Sequence, residues 1–97
     1  MVKGDFDRAI EILTRANILI PNNAEIIRNL GWSFVMKGDV LRGISLLRRA
    51  HTLIPDEMSI VNDLGIALMS IGRDEEAHEL FEKTGNTLAL EALKKIQ

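Results

Sequence analysis

Apolar residues fall three and four apart along almost the whole chain. Phe6, Ala9, Ile10, Leu13, Ala16 and Ile20 make the first such stripe, the spacing of one buried face on an amphipathic helix. Gly4 and Asp5 open the segment, with Asp5 a good N-cap, and Pro21 closes it, so a helix is predicted over 5–20. Asn22 with Glu25 three residues later matches a capping box with Asn in place of Ser or Thr, which starts a second helix near Asn23 that runs to about Lys37. Gly38 and Asp39 break that helix and cap a third, which ends at Ile54. Pro55 and Asp56 repeat the punctuation before a helix from about Glu57 to Ile71, and Gly72 precedes another from Arg73 to Thr84. Gly85 and Asn86 then lead into a short last helix, Thr87 to Ile96, with Leu88, Ala89, Ala92, Leu93 and Ile96 as its apolar stripe. Every turn is short, so successive helices should lie antiparallel and adjacent.

The pattern repeats with a period of 34 residues. Comparing 3–21 with 37–55, the identical pairs are Lys3/Lys37, Gly4/Gly38, Asp5/Asp39, Arg8/Arg42, Ile10/Ile44, Leu13/Leu47, Arg15/Arg49, Ala16/Ala50, Leu19/Leu53, Ile20/Ile54 and Pro21/Pro55, eleven matches in nineteen positions. The register continues as Leu30/Leu64, Gly31/Gly65 and Gly38/Gly72, with Phe34/Leu68, Gly43/Ala77 and Leu47/Phe81 as same-class replacements. One unit of two helices has been copied through the chain. Gly31 and Gly65 sit inside helices, where glycine costs about 1 kcal/mol relative to alanine. Close backbone contact is the compensation expected, against the small residues Ala9, Ala16, Gly43, Ala50 and Ala77, with Leu13, Leu47 and Phe81 as the bulk between them.

Leu-Gly-x-x-aromatic, then small-x-x-x-large, then small, then Pro, at this period, resembles the tetratricopeptide repeat, over Lys3 to about Thr84. The central unit meets the family pattern at Leu30, Gly31, Phe34, Ala50 and Pro55, with Ile27 where Trp is commonest and Gly43 where Ala is. The third unit keeps Leu64, Gly65, Ala77 and Phe81 but departs at Val61, Leu68, Thr84 and Ala89. The resemblance implies an all-α fold of antiparallel helix pairs stacked as a right-handed solenoid of about two and a half repeats. In one domain, residues 3–21 would be the second helix of a first repeat, 22–55 the second repeat, 56–85 the third and 87–96 a capping helix. The alternative for 87–96 is a truncated first helix of a further repeat. Met1 would then open a fragment of a larger repeat protein.

In that family the first helix of each unit lines a concave groove that takes extended or helical peptides of partner proteins. By position, the groove residues here would be Glu25, Arg28, Asn29, Trp32, Val35 and Met36 in the second unit, and Asn62, Asp63, Ile66 and Met69 in the third, flanked by Ser59 and Ser70. Trp32 has two readings. It offers a large flat surface to a ligand, or it packs against Val35, Ile66 and Met69 between units. The family's Lys/Asn clamp for a C-terminal carboxylate is not reproduced: Arg28 could replace the lysine, but Trp32 stands where the asparagine would. An apolar segment of mixed polarity is therefore the expected ligand.

Composition narrows the alternatives. Hydrophobic residues are 46% and charged residues 27%, a globular balance. There is no cysteine, so no disulfide or thiolate metal site is expected, and the compartment is left open with a cytoplasmic setting the expectation. No apolar run approaches the roughly 18 residues of a membrane span. The net charge is −2, but residues 1–50 carry eight Lys/Arg against five Asp/Glu, a balance of +3, and residues 51–97 four against nine, a balance of −5. That split is a chance distribution of solvated charge, or it biases the chain toward head-to-tail contacts between copies. Nucleic acid is not an expected partner, because the balance is acidic and the arginines are not interleaved with aromatics.

Neither an enzyme nor a cofactor is expected. His51 and His78 lie on different units without an HExxH or paired-carboxylate arrangement, and no phosphate-binding glycine motif is present. The run Asp74-Glu75-Glu76 opens a helix, where acids complement the dipole. The sequence thus points to a noncatalytic scaffold for protein–protein interaction through the groove, or else to self-association through the repeat ends. For the latter, the face of the first helix bearing Ala9, Leu13 and Ala16 is the surface expected to lack a cover.

Overall fold

The computed structural model describes residues 3–96; Met1 lies outside them. Six helices follow one another: α1 (Lys3–Leu19), α2 (Ala24–Lys37), α3 (Val40–Leu53), α4 (Met58–Ser70), α5 (Asp74–Thr84) and α6 (Thr87–Ile96). There is no sheet among the described residues. Each helix packs antiparallel against the next, and α2 also touches α4. The overall extents are 39 × 28 × 17 Å, and a helix with its side chains is about 10–12 Å across, so the thin dimension admits two layers of helices at most.

Local chemistry sets the helix ends. At Gly38 the chain turns left-handed, with φ 105°, and the Gly38 and Asp39 amides donate to the Val35 and Phe34 carbonyls. A residue with a Cβ is strained there. Gly85 ends α5 in the same way, with φ 70°. The caps differ from the expected ones by a residue. Asn23, not Asn22, caps α2, its Oδ1 accepting from the Ile26 amide at 3.0 Å, while Asn22 adopts φ 64° and holds Arg49 through its own Oδ1. Glu57, not Asp56, caps α4, and its carboxylate accepts from both the amide and the hydroxyl of Ser59. Asp5 lies inside the first turn of α1 rather than before it, where a carboxylate still complements the helix dipole.

Two clusters form the core. Ile44, Leu47, Val61, Leu64, Leu68, Ala77, Phe81 and Leu93 join α3, α4, α5 and α6, and Ala24, Ile27, Ala50 and Ile60 join α2, α3 and α4. The interior glycines do allow close approach. A Cβ on Gly43 would overlap Val35 Cγ2 and stand 2.6 Å from the Gly31 carbonyl oxygen, and a Cβ on Gly65 would overlap the Phe81 ring. On α2 the buried stripe is Ile27, Leu30 and Gly31, and Val35 completes it against α3. Phe34, the aromatic of the repeat pattern, is only half-buried, under the Arg42 guanidinium 5.2 Å from its ring centroid.

Helix α6 is rotated from its expected setting. Leu93 is buried and Ala89 and Leu90 are half-buried, whereas Leu88 is exposed. The cause is Asn86, buried at the start of α6. Its Oδ1 caps the Ala89 amide at 3.2 Å, and its Nδ2 donates to Asn62 Oδ1 on α4 at 2.6 Å. Fixed at both ends, that amide sets which side of α6 meets the core.

Candidate functional site

Glu25, Arg28, Asn29, Trp32 and Met36 recur three, four and seven residues apart on α2, so they share one stripe. Asn62, Asp63 and Ile66 make the corresponding stripe of α4. Arg28 and Asp63 join the two. Arg28 Nε lies 2.7 Å from Asp63 Oδ2, with the Asp63 side chain 13% and the Arg28 side chain 32% exposed. A charge-assisted hydrogen bond that is partly shielded from water is stronger than an open surface pair. It ties α2 directly to α4, in addition to the packing of each on α3. It also occupies Arg28, the one cation in the expected groove set, with a carboxylate of the chain itself.

The remaining residues divide into open and engaged. Glu25 and Asn29 are exposed, Trp32 is half-buried, and Met36 and Ile66 are 47% and 50% exposed. These present a surface of one aromatic and two flexible or branched apolar side chains, edged by an acid and an amide. Val35 and Met69 instead pack against the larger core cluster, and Val35 is the side chain that a Cβ on Gly43 would strike. Val35 and Met69 are equivalent under the 34-residue shift, and both are half-buried at the inner margin of the stripe. Asn62 is engaged with Asn86 and so supports α6. Ser59 is engaged with the Glu57 cap, and Ser70 hydroxyl donates to the Ala67 carbonyl.

At the N-terminal ends of α2 and α4 the surface sinks into a depression of about 300 Å³, lined by Glu25, Arg28, Ile54, Glu57 and Ser59 among others. Ile54 and Glu57 were not among the expected groove residues. They belong to the turn between α3 and α4, and the exposed isoleucine just before Pro55 was the available signal. Elsewhere a depression of about 360 Å³ between α3 and α5 is lined by Arg48, His51, Glu76 and Lys83, with Arg48 and Glu76 paired at 2.9 Å. His51 Nδ1 is buried there with no hydrogen-bond partner.

Further apolar side chains are open on α1 and at Ile20 just after it. Ile12, Ile18, Leu19 and Ile20 are all exposed, Ile12 at 61%. Ala9, Leu13 and Ala16, expected to be the uncovered residues, are half-buried beside them. Among the described residues no three His, Cys, Asp or Glu side chains are placed to hold a metal ion, and no helix is long and apolar enough to cross a membrane. Comparison with models of known protein families gives no match, and no curated protein matches the chain.

Proposed function

We propose that the chain is a noncatalytic scaffold for protein–protein interaction, a tetratricopeptide-like right-handed solenoid that holds a peptide or helix of a partner on the α2–α4 face. One observation carries the reading: Met36 and Ile66 are exposed and Trp32 is half-buried beside them, on two helices that the Arg28–Asp63 bond ties together. Fixed aromatic and apolar anchors with a polar edge are what a peptide site requires. The 34-residue repeat supports the same reading by fold-level analogy. Because Arg28 is already paired, the ligand fits better as an apolar segment than as a free carboxylate.

Trp32 is the sole tryptophan, so its fluorescence reports on that face directly. Peptides selected from a displayed random library against the folded chain should shift this emission on titration. Ile66→Glu should then weaken their binding about thirtyfold, and Trp32→Ala, followed by a label on the peptide, by a similar factor. Selected peptides indifferent to both substitutions would refute the assignment.

Self-association is the second reading, and the exposed isoleucines of α1 favour it together with the +3/−5 charge split. Sedimentation at two salt concentrations checks it. A monomer unaffected by salt removes this reading.

A further inference from the structure

We infer that the depression between α3 and α5 receives a tyrosine side chain of a partner protein. None of the residues of the α2–α4 face lines it, and the inference does not rest on that reading. Helices α3 and α5 both pack antiparallel on α4, so they run the same way with a gap between them. Leu64 and Leu68 of α4, 2% and 1% exposed, floor the gap, and Leu80 of α5 is half-buried in its wall. At one end Arg48 and Glu76 close across it at 2.9 Å. The volume is about 360 Å³, room for one large side chain and far too little for a helix about 10 Å across.

His51 supplies the polar part of the α3 wall. Its Nδ1 is enclosed without a hydrogen-bond partner. Orphaned N–H donors are rarer in protein interiors than orphaned acceptors, so the enclosed nitrogen is assigned the lone pair. In the neutral ring the proton then sits on Nε2, at the tip of the side chain, as a donor. The polarity of this position has no use inside the chain. A shift of 34 residues carries His51 onto Asn17, and Asn17 Oδ1 is likewise enclosed without a partner. Two repeats place a polar side chain at the same point and leave it unsatisfied, where an apolar one would pack without that cost. The gaps differ in their floors. Between α1 and α3 the equivalents of Leu68 and Glu76 are Phe34 and Arg42, stacked 5.2 Å apart, whereas the smaller Leu68 leaves the floor beside His51 open.

The rim selects the ligand. Arg48 and Lys83 stand with Glu76 and Glu79, two cations with two acids, so the depression has no net charge to hold a charged side chain. Arg48 and Glu76 are occupied with each other, while Glu79 is exposed and holds no ion pair among the described residues. A phenol satisfies each wall. Its ring lies on Leu64, Leu68 and Leu80, and its oxygen accepts from His51 Nε2 and donates to the Glu79 carboxylate. Phenylalanine lacks the polar tip, and the tryptophan N–H only donates, as His51 already does. The exposed Arg48, Thr52, Glu76, Glu79 and Lys83 surround the apolar floor, the polar rim that surrounds an anchor pocket in a protein interface. A free phenol leaves that rim untouched. The chain contains no tyrosine, so the anchor comes from a different protein and not from a second copy.

Acetyl-Ala-Tyr-Ala-amide titrated into the isotope-labelled full chain and followed by NMR tests this. Saturable shifts are expected at His51, including Nε2, and at Leu64, Leu68 and Leu80. The peptide with phenylalanine in place of tyrosine should bind about three- to tenfold more weakly, and p-cresol, the side chain alone, at least about threefold more weakly. His51→Leu, with circular dichroism confirming an unchanged helical fold, should bring the two peptides to equal affinity. Glu79→Ala, at an exposed position, should lower the same preference. Ile66→Glu on the α2–α4 face should change neither affinity. Absence of saturable shifts around the depression overturns the proposal, as does equal affinity for the two peptides on the unaltered chain. A preference for tyrosine that survives both His51→Leu and Glu79→Ala, or is lost with Ile66→Glu, overturns it by placing the ring elsewhere. Binding of p-cresol as tight as that of the peptide overturns it in favour of a small molecule.

Discussion

Helices α1 and α3 share Arg8/Arg42, Ile10/Ile44, Leu13/Leu47, Arg15/Arg49 and Ala16/Ala50, yet Leu47 and Ala50 are sealed from solvent while Leu13 and Ala16 stay half-open. Leu46 is half-buried against α2, and its counterpart Ile12 is exposed. The residues are equivalent and their neighbours are not. α3 is enclosed between α2 and α4, whereas among the described residues α2 is the helix packed along α1. Burial, and with it the energetic weight of a side chain, comes from the number of helices laid against it. Two helices of nearly the same face therefore serve as core in one place and as open surface in the other.

That contrast breaks most easily at the large apolar pair. Leu47→Ala should destabilise the fold by about 2–5 kcal/mol, as removal of a sealed leucine does, and Leu13→Ala by roughly 1 kcal/mol because much of its surface is already wet. Equal losses in urea unfolding would mean that the two positions are equally enclosed. The small pair gives the next effect. Gly43→Ala drives a methyl into Val35 and the Gly31 carbonyl oxygen and should lower stability by about 1–3 kcal/mol despite alanine's better helix propensity. Ala9→Gly should lose about 1 kcal/mol through propensity alone, and thermal melts separate the two. The arginine pair is smallest. Arg49→Ala and Arg15→Ala should each change stability by less than about 1 kcal/mol, since both side chains are exposed. Amide exchange should nevertheless rise in the turn at Asn22 for Arg49→Ala only.

Much of the helical plan was legible because the signals are local. Three-and-four spacing, Pro21, Gly38, Pro55 and Gly72 placed the first five helices within a few residues of their observed ends. Gly31, Gly43 and Gly65 announced close contacts that the structure contains. The candidate face was less legible. A repeat alignment put Val35 and Met69 with Trp32 and Ile66, but the first two pack against the core cluster. Asn62 was read as open surface, and its bond to Asn86 spans 24 residues of sequence, a pairing that no local pattern encodes. The Arg28–Asp63 bond, 35 residues apart, was hidden for the same reason. Ile12 was passed over because Ala9, Leu13 and Ala16 match the repeat by identity or small size, whereas Ile12 matches Leu46 only in being apolar.

By itself the sequence determined six helices, their order, their short turns and the copied 34-residue unit, since each depends on residues a few positions apart or on comparing the chain with itself. Only the tertiary structure decided which side of each helix is enclosed. That depends on crossing angle and rotation, which are set jointly by glycine contacts, the Asn86 cap and the Arg28–Asp63 bond. The half-open strip on α1 follows from the number of helices packed against it, which no local pattern in the sequence states.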